Sequence, residues 1–153
     1  MTIKMSLYEK IREDMKSAMK AGEKERLETL RFILSGLNAA QKEKELKESG
    51  ARLADAETIS VLQKEAKRRK ESIELFRQGK RDDLVEKESA GLAVVQSYLP
   101  EELSRDAVAK IVDEARTKGF NDFSALMRET MKAAAGRADG KIVGEIIKEK
   151  LAK

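Results

Sequence analysis

With 153 residues, 39% charged and 41% apolar, only 4% aromatic and a single proline, the chain has the composition of long helices with thin apolar stripes rather than of a β-sandwich. Cysteine and histidine are both absent, which excludes disulfides, thiol nucleophiles, imidazole acid–base catalysis and the standard zinc sites. The net charge of +4 is unevenly placed: residues 64–81 hold eight basic and three acidic side chains, so the rest of the chain sums to −1.

The first element is a helix opened by a capping-box pattern, Ser6 with Glu9, and carrying Leu7, Ile11, Met15 and Met19 before Gly22 ends it. A second helix runs from about Glu23 to Glu48 on a stripe of Leu27, Leu30, Leu34, Leu37 and Gln41, and stops at Ser49-Gly50. Asp55 is expected to cap a third helix, whose seam is Ile59, Leu62, Ala66, Arg69, Ile73 and Phe76. That alternating three- and four-residue spacing predicts antiparallel, coiled-coil-like packing against a partner, and Gly79 closes the helix. A fourth helix starts near Asp82 or Asp83 and carries Leu84, Glu88, Gly91 or Leu92, Val95 and Leu99.

Pro100 sits where the pattern breaks. It cannot continue the preceding helix and holds Leu99 in an extended conformation, so the domain boundary is placed there. Beyond it three shorter helices follow, capped by Ser104, by Asn121 or Asp122, and by Asp139, with Gly119 and Gly136 between them. The expected fold is all-α: an N-terminal antiparallel domain of about four helices (5–99) that includes the basic helix, then a small three-helix bundle (100–153) near the size where a core is marginal. No apolar run approaches the roughly 18 residues of a membrane span, and the N-terminus lacks a signal-peptide apolar core; a cytoplasmic protein without membrane contact is expected.

Chemical signatures are sparse. Gly136-Arg137-Ala138-Asp139-Gly140-Lys141 approaches a phosphate loop, but its glycines are one residue too close and Ile142 stands where a magnesium-binding Ser or Thr is required. It reads more simply as one helix end followed by the cap of the next. Asp82-Asp83 and Glu101-Glu102 stand at helix starts, where acids favour the dipole, and adjacent acids do not share one helix face. No catalytic residue, metal site or cofactor is expected.

On the basic helix, Lys64, Lys67 and Arg68 occupy an outer arc interleaved with Glu71 and Glu74, the pattern of a solvated face with ion pairs such as Lys67–Glu71 and Lys70–Glu74. Arg69 falls inside the apolar seam: it either snorkels outward, pairs with a buried acid such as Glu88, or contacts a ligand. Arg77, Lys80 and Arg81 crowd the helix end and the turn, where cations suit the dipole and also suit phosphate. The run has almost no aromatic interleaving, so contact with nucleic acid is expected to be backbone-directed rather than by base stacking. In the tail, Lys132, Arg137, Lys141, Lys148 and Lys150 surround the Gly136–Gly140 turn, although ten acids stand against eleven bases after Pro100.

Three runs, Lys67–Phe76, Gly79–Glu88 and Tyr98–Ser104, together with Gly136–Val143, resemble the YqeY family over the chain from about Met5 onward. Met5 matches the usual family start, so Thr2–Lys4 reads as an N-terminal extension. The resemblance implies a C-terminal domain similar to the tail of GatB, the B component of the glutamine-dependent aspartyl/glutamyl-tRNA amidotransferase, where that domain helps to hold tRNA. It therefore implies a tRNA- or RNA-associated accessory protein, not catalytic alone. The RNA-binding candidates are Arg137, Lys141, Lys132 and Lys148 in the tail and Arg69, Lys80 and Arg81 on the basic helix. Two other readings stand beside it: a module docking on an amidotransferase-type or other protein partner, and a component of a carbon–nitrogen ligase using glutamine as amido donor, for which the chain lacks assignable residues.

Overall fold

The computed structural model describes residues 4–153; the segment Thr2–Lys4, expected to be an extension, lies outside the described residues except for Lys4. The fold is all-α, with seven helices and no strand among the described residues: α1 (Leu7–Ala21), α2 (Lys24–Lys47), α3 (Asp55–Gln78), α4 (Asp82–Gln96), α5 (Arg105–Thr117), α6 (Phe123–Ala134) and α7 (Gly140–Leu151). The helices group into two compact units, one ending at Leu99 and one from Pro100 to Lys153.

Local chemistry explains most of the helix ends. Ser6 accepts from the Glu9 amide while the Glu9 carboxylate accepts from the Ser6 amide, satisfying two amides that the helix itself leaves open. Ser104, Asp122 and Asp139 cap α5, α6 and α7 through their side-chain oxygens. Asp55 is a correction. It is the first residue of α3 rather than its cap, and its Oδ1 accepts the Leu7 amide at 2.9 Å, pinning the start of α1 to the start of α3. The Ala54 amide at that end donates to the Glu57 carboxylate at 3.0 Å. Lys44 also bonds Glu57, and together these hold the half-exposed Glu57 carboxyl below its ordinary range, the lysine contributing most.

Glycines end the helices less simply than their positions suggest. After α3 it is Lys80, not Gly79, that takes the left-handed conformation (φ 55°), and after α6 Ala135 (φ 50°) precedes Gly136 (φ 78°) in the same region.

In the first unit, Ile11 and Ala18 of α1, Leu30, Ile33 and Leu37 of α2, Leu62 and Ala66 of α3 and Val95 of α4 form the core. The α2 stripe is fully buried at Leu30 and Leu37, as the helical spacing predicts, and α3 buries Leu62, Ala66, Arg69 and Ile73 along its seam. The short turn 79–81 folds α4 back along α3, which sets Arg69 opposite Glu88. In the second unit α5, α6 and α7 pack on one another around Val108, Val112, Leu126, Val143 and Ile147, none more than 1% exposed. Helices of 12 or 13 residues suffice there because each sends one apolar edge into this centre.

Candidate nucleic-acid interface

The basic run on α3 separates into buried and open charges. Arg69 is 8% exposed; its Nε donates to Glu65 at 2.7 Å and its Nη1 to Glu88 at 3.3 Å. Gly91 of α4 gives the guanidinium room, since a Cβ there would lie 2.9 Å from Arg69 Cζ. Arg68 grips the same Glu65 with two bonds of 2.7 and 3.1 Å, which raises its guanidinium pKa despite partial burial. Glu65 is thus shared between two arginines, and Arg77 pairs with Glu74 at 3.2 Å.

The aromatic that the run lacks comes from the neighbouring helix. Phe32 of α2 is 51% exposed, with the Arg68 guanidinium 5.0 Å and that of Arg69 5.6 Å from its ring centroid. These groups line a cleft of about 670 Å³ between α2, α3 and α4, together with Arg26, Lys87 and the carboxylates of Glu25, Glu28 and Glu88. The basic run of α3 itself offers almost no aromatic ring, as its sequence shows, but α2 places one beside its arginines. A readable signal existed, because Phe32 is an aromatic off the Leu27–Leu30–Leu34–Leu37 stripe, where burial does not account for it.

At the α3–α4 turn, Arg81 binds Asp83 through Nε and Nη2 at 3.2 and 3.1 Å. That bond raises the arginine and lowers the aspartate from their ordinary values, both side chains being exposed. Lys80 beside it is exposed and forms no ion pair among the described residues. In the second unit the residues around 136–140 are also unequal. Arg137 donates from Nε to the Glu101 carbonyl at 2.9 Å, and its own carbonyl accepts the Leu103 amide at 2.7 Å. This arginine therefore clasps the segment leading into α5. Lys148 lies over the partly exposed Phe123 ring at 6.0 Å, whereas Lys132 and Lys141 are exposed and their ammonium groups are unpaired among the described residues.

Among the described residues no group of three His, Cys, Asp or Glu could hold a metal ion, and no helix is long and apolar enough to cross a membrane.

Comparison with known proteins adds to this geometry. A protein named altered inheritance of mitochondria protein 41, mitochondrial, from Pyrenophora tritici-repentis is 34% identical over 147 residues, covering 92% of this chain and 78% of that protein. Its namesake from Kluyveromyces lactis is 32% identical over 105 residues, covering 67% of this chain and 55% of that one. The E component of glutamyl-tRNA(Gln) amidotransferase from Natronomonas pharaonis is 33% identical over 66 residues, 43% of this chain but only 11% of that protein. The expectation of cytoplasmic residence is overturned: the first two relatives are named as mitochondrial proteins, and the lack of a membrane-length apolar run does not decide the compartment. A family model described as Yqey-like protein matches residues 8–151, and the chain belongs to that family.

Proposed function

We propose that this protein is an RNA-associated accessory factor that contacts tRNA, or another structured RNA, through the exposed cations beside the α6–α7 turn. The observation that carries the reading is the similarity to a protein named as a component of glutamyl-tRNA(Gln) amidotransferase, which joins this family to a protein concerned with tRNA. The geometry supports it, because Lys132 and Lys141 are both exposed and carry no competing carboxylate among the described residues. Arg137 is a poorer contact, since its Nε is engaged by the Glu101 carbonyl.

The test is equilibrium binding of bulk tRNA across a salt series, comparing the full chain with Lys132→Glu/Lys141→Glu. Backbone contacts lose affinity steeply with salt, so the variant should bind about tenfold more weakly and with a shallower salt slope. An undetectable wild-type complex at low salt, or a variant that binds unchanged, refutes the reading. Leu75, 67% exposed on α3, favours a second one, in which the first unit docks on an amidotransferase-type protein. Capture from extract before and after nuclease separates the two, because only RNA-bridged partners are lost on digestion.

A further inference from the structure

The α1–α2 groove is lined by cations and by no acid among the described residues, away from the basic helix that the sequence emphasises. Arg12 and Lys16 line it from α1, and Arg31 and Lys42 from α2; Ser35 and Asn38 lie between the latter two, and no carboxylate among the described residues lines the cleft of about 640 Å³. The spacing of Arg31, Ser35, Asn38 and Lys42 at i, i+4, i+7 and i+11 places them along one helix face.

The cations differ in availability. Lys16 shares the half-exposed Glu13 at 3.3 Å, and the Arg12 guanidinium lies 5.7 Å from the Tyr8 ring centroid. Arg31 and Lys42 are exposed and have no ion-pair partner among the described residues. Elsewhere in this unit acids neutralise the arginines, as Glu65 does for Arg68 and Arg69. Unneutralised cations facing a shared concavity, with hydroxyl and amide side chains between them, suit a chain of phosphates.

Arg31 is also where this groove meets the cleft that holds Phe32, since it lines both. The half-exposed ring, one residue along the chain and already associated with two guanidiniums, offers the flat aromatic-plus-arginine surface on which an unpaired base stacks. In a duplex the bases are stacked on one another and closed to Phe32, so a single strand is the form that uses both features.

We infer that the α1–α2 groove binds the phosphate backbone of single-stranded RNA through Arg31 and Lys42, with Arg12 and Lys16 flanking them, and that Phe32 stacks a base of the same strand. The inference rests on the RNA-association reading above and adds to it a contact made by the first unit.

The experiment uses the full chain and a fluorescein-labelled oligouridylate of about 20 nucleotides, with anisotropy measured over a salt series. Arg31→Gln/Lys42→Gln should weaken binding about tenfold and flatten the log K against log salt slope by roughly 1.4, about 0.7 for each lost cation on a single strand. Phe32→Ala should weaken binding about fivefold or more with the slope unchanged, and Phe32→Tyr, which keeps the ring, should restore it. Far-ultraviolet circular dichroism of each variant checks that the helices persist. Three results overturn the proposal, and they are distinguishable. If wild type binds neither oligouridylate nor tRNA, the inference and the RNA reading fall together. If wild type binds but only Lys132→Glu/Lys141→Glu weakens it, the groove is refuted and the tail contact stands. If the groove variant weakens binding but Phe32→Ala does not, or duplex RNA binds as well as the single strand, the stacking arrangement is refuted.

Discussion

Substituting Gly91 by alanine should destabilise the first unit, although in an ordinary helix interior the same change stabilises by about 0.8–1.0 kcal/mol. The reason is Arg69. A Cβ at Gly91 would lie 2.9 Å from its Cζ and 3.4 Å from Thr29 Oγ1, so the guanidinium must swing aside. Steric displacement of a long side chain is normally cheap, but this one is anchored, its side chain 9% exposed and bonded to Glu65 and Glu88. Removing one partner of a fully buried pair costs about 3–5 kcal/mol. Here Glu65 keeps Arg68, and the Glu88 side chain is 23% exposed to water, so about half that penalty, ~2 kcal/mol, is appropriate. Set against the propensity gain, Gly91→Ala is expected to cost about 1 kcal/mol net. In an Arg69→Ala background the obstruction is gone, and the same substitution should stabilise by about 1 kcal/mol. The double-mutant cycle should therefore return a coupling of about 2 kcal/mol with a reversal of sign. Tyrosine fluorescence during urea unfolding is suited to the measurement, because the chain has no tryptophan and its two tyrosines, Tyr8 and Tyr98, both lie in the unit ending at Leu99. If Gly91→Ala stabilises in both backgrounds, Arg69 is not held in place and the account of this site is wrong.

Two further outcomes follow from single groups. The Tyr98 hydroxyl donates to Asp14 Oδ2 at 2.6 Å, and burial first, then the Asp14 carboxylate, raise its pKa well above the ordinary value near 10. The folded state thus holds this proton more tightly than the unfolded chain, a contribution fully present below about pH 10 and lost as pH rises through the folded-state value. Tyr98→Phe should flatten the alkaline fall in stability read by circular dichroism, and an unchanged alkaline limb would refute this. Thr130 is fully buried, and its Oγ1 has no hydrogen-bond partner among the described residues, so Thr130→Val should be neutral or stabilise by about 1 kcal/mol, visible as an unchanged or raised midpoint in a thermal melt. A clearly lowered midpoint would mean that the hydroxyl has a bonded role.

The helices are legible in the sequence wherever their cause is local. Ser6, Ser104, Asp122 and Asp139 cap by bonding amides two or three residues away, so the signal and the structure occupy the same few residues. Asp55 escapes such a reading because its carboxylate is taken by an amide 48 residues distant, a competition that local patterning cannot register. Arg69 is legible as an anomaly, a charge in an apolar seam, and Glu88 is open to inference as an acid on the facing helix. The role of Gly91 is not, since it depends on where a guanidinium ends rather than where its backbone begins. Lys80 shows the reverse case: glycine next door invites the left-handed turn, yet the lysine takes it, because the Lys80 amide bonds the Arg77 carbonyl and the Arg81 amide the Phe76 carbonyl, which puts the left-handed position one residue beyond Gly79.

Charge density along the sequence is not the charge available on one face, and the reason is geometric. Residues 64–81 carry the largest local excess, but Glu65 occupies two of those arginines, Glu74 a third, and Asp83 a fourth from the neighbouring turn. Residues 7–47 look unremarkable by comparison, with ten basic and eight acidic side chains. A helix nevertheless sorts residues by angle, and two packed helices sort them twice: the acids fall away from the α1–α2 groove, while Arg12, Lys16, Arg31 and Lys42 converge on it. What a phosphate encounters is the unneutralised charge on one concave face, so a near-balanced segment can present a stronger anion site than a basic run whose arginines already hold carboxylates.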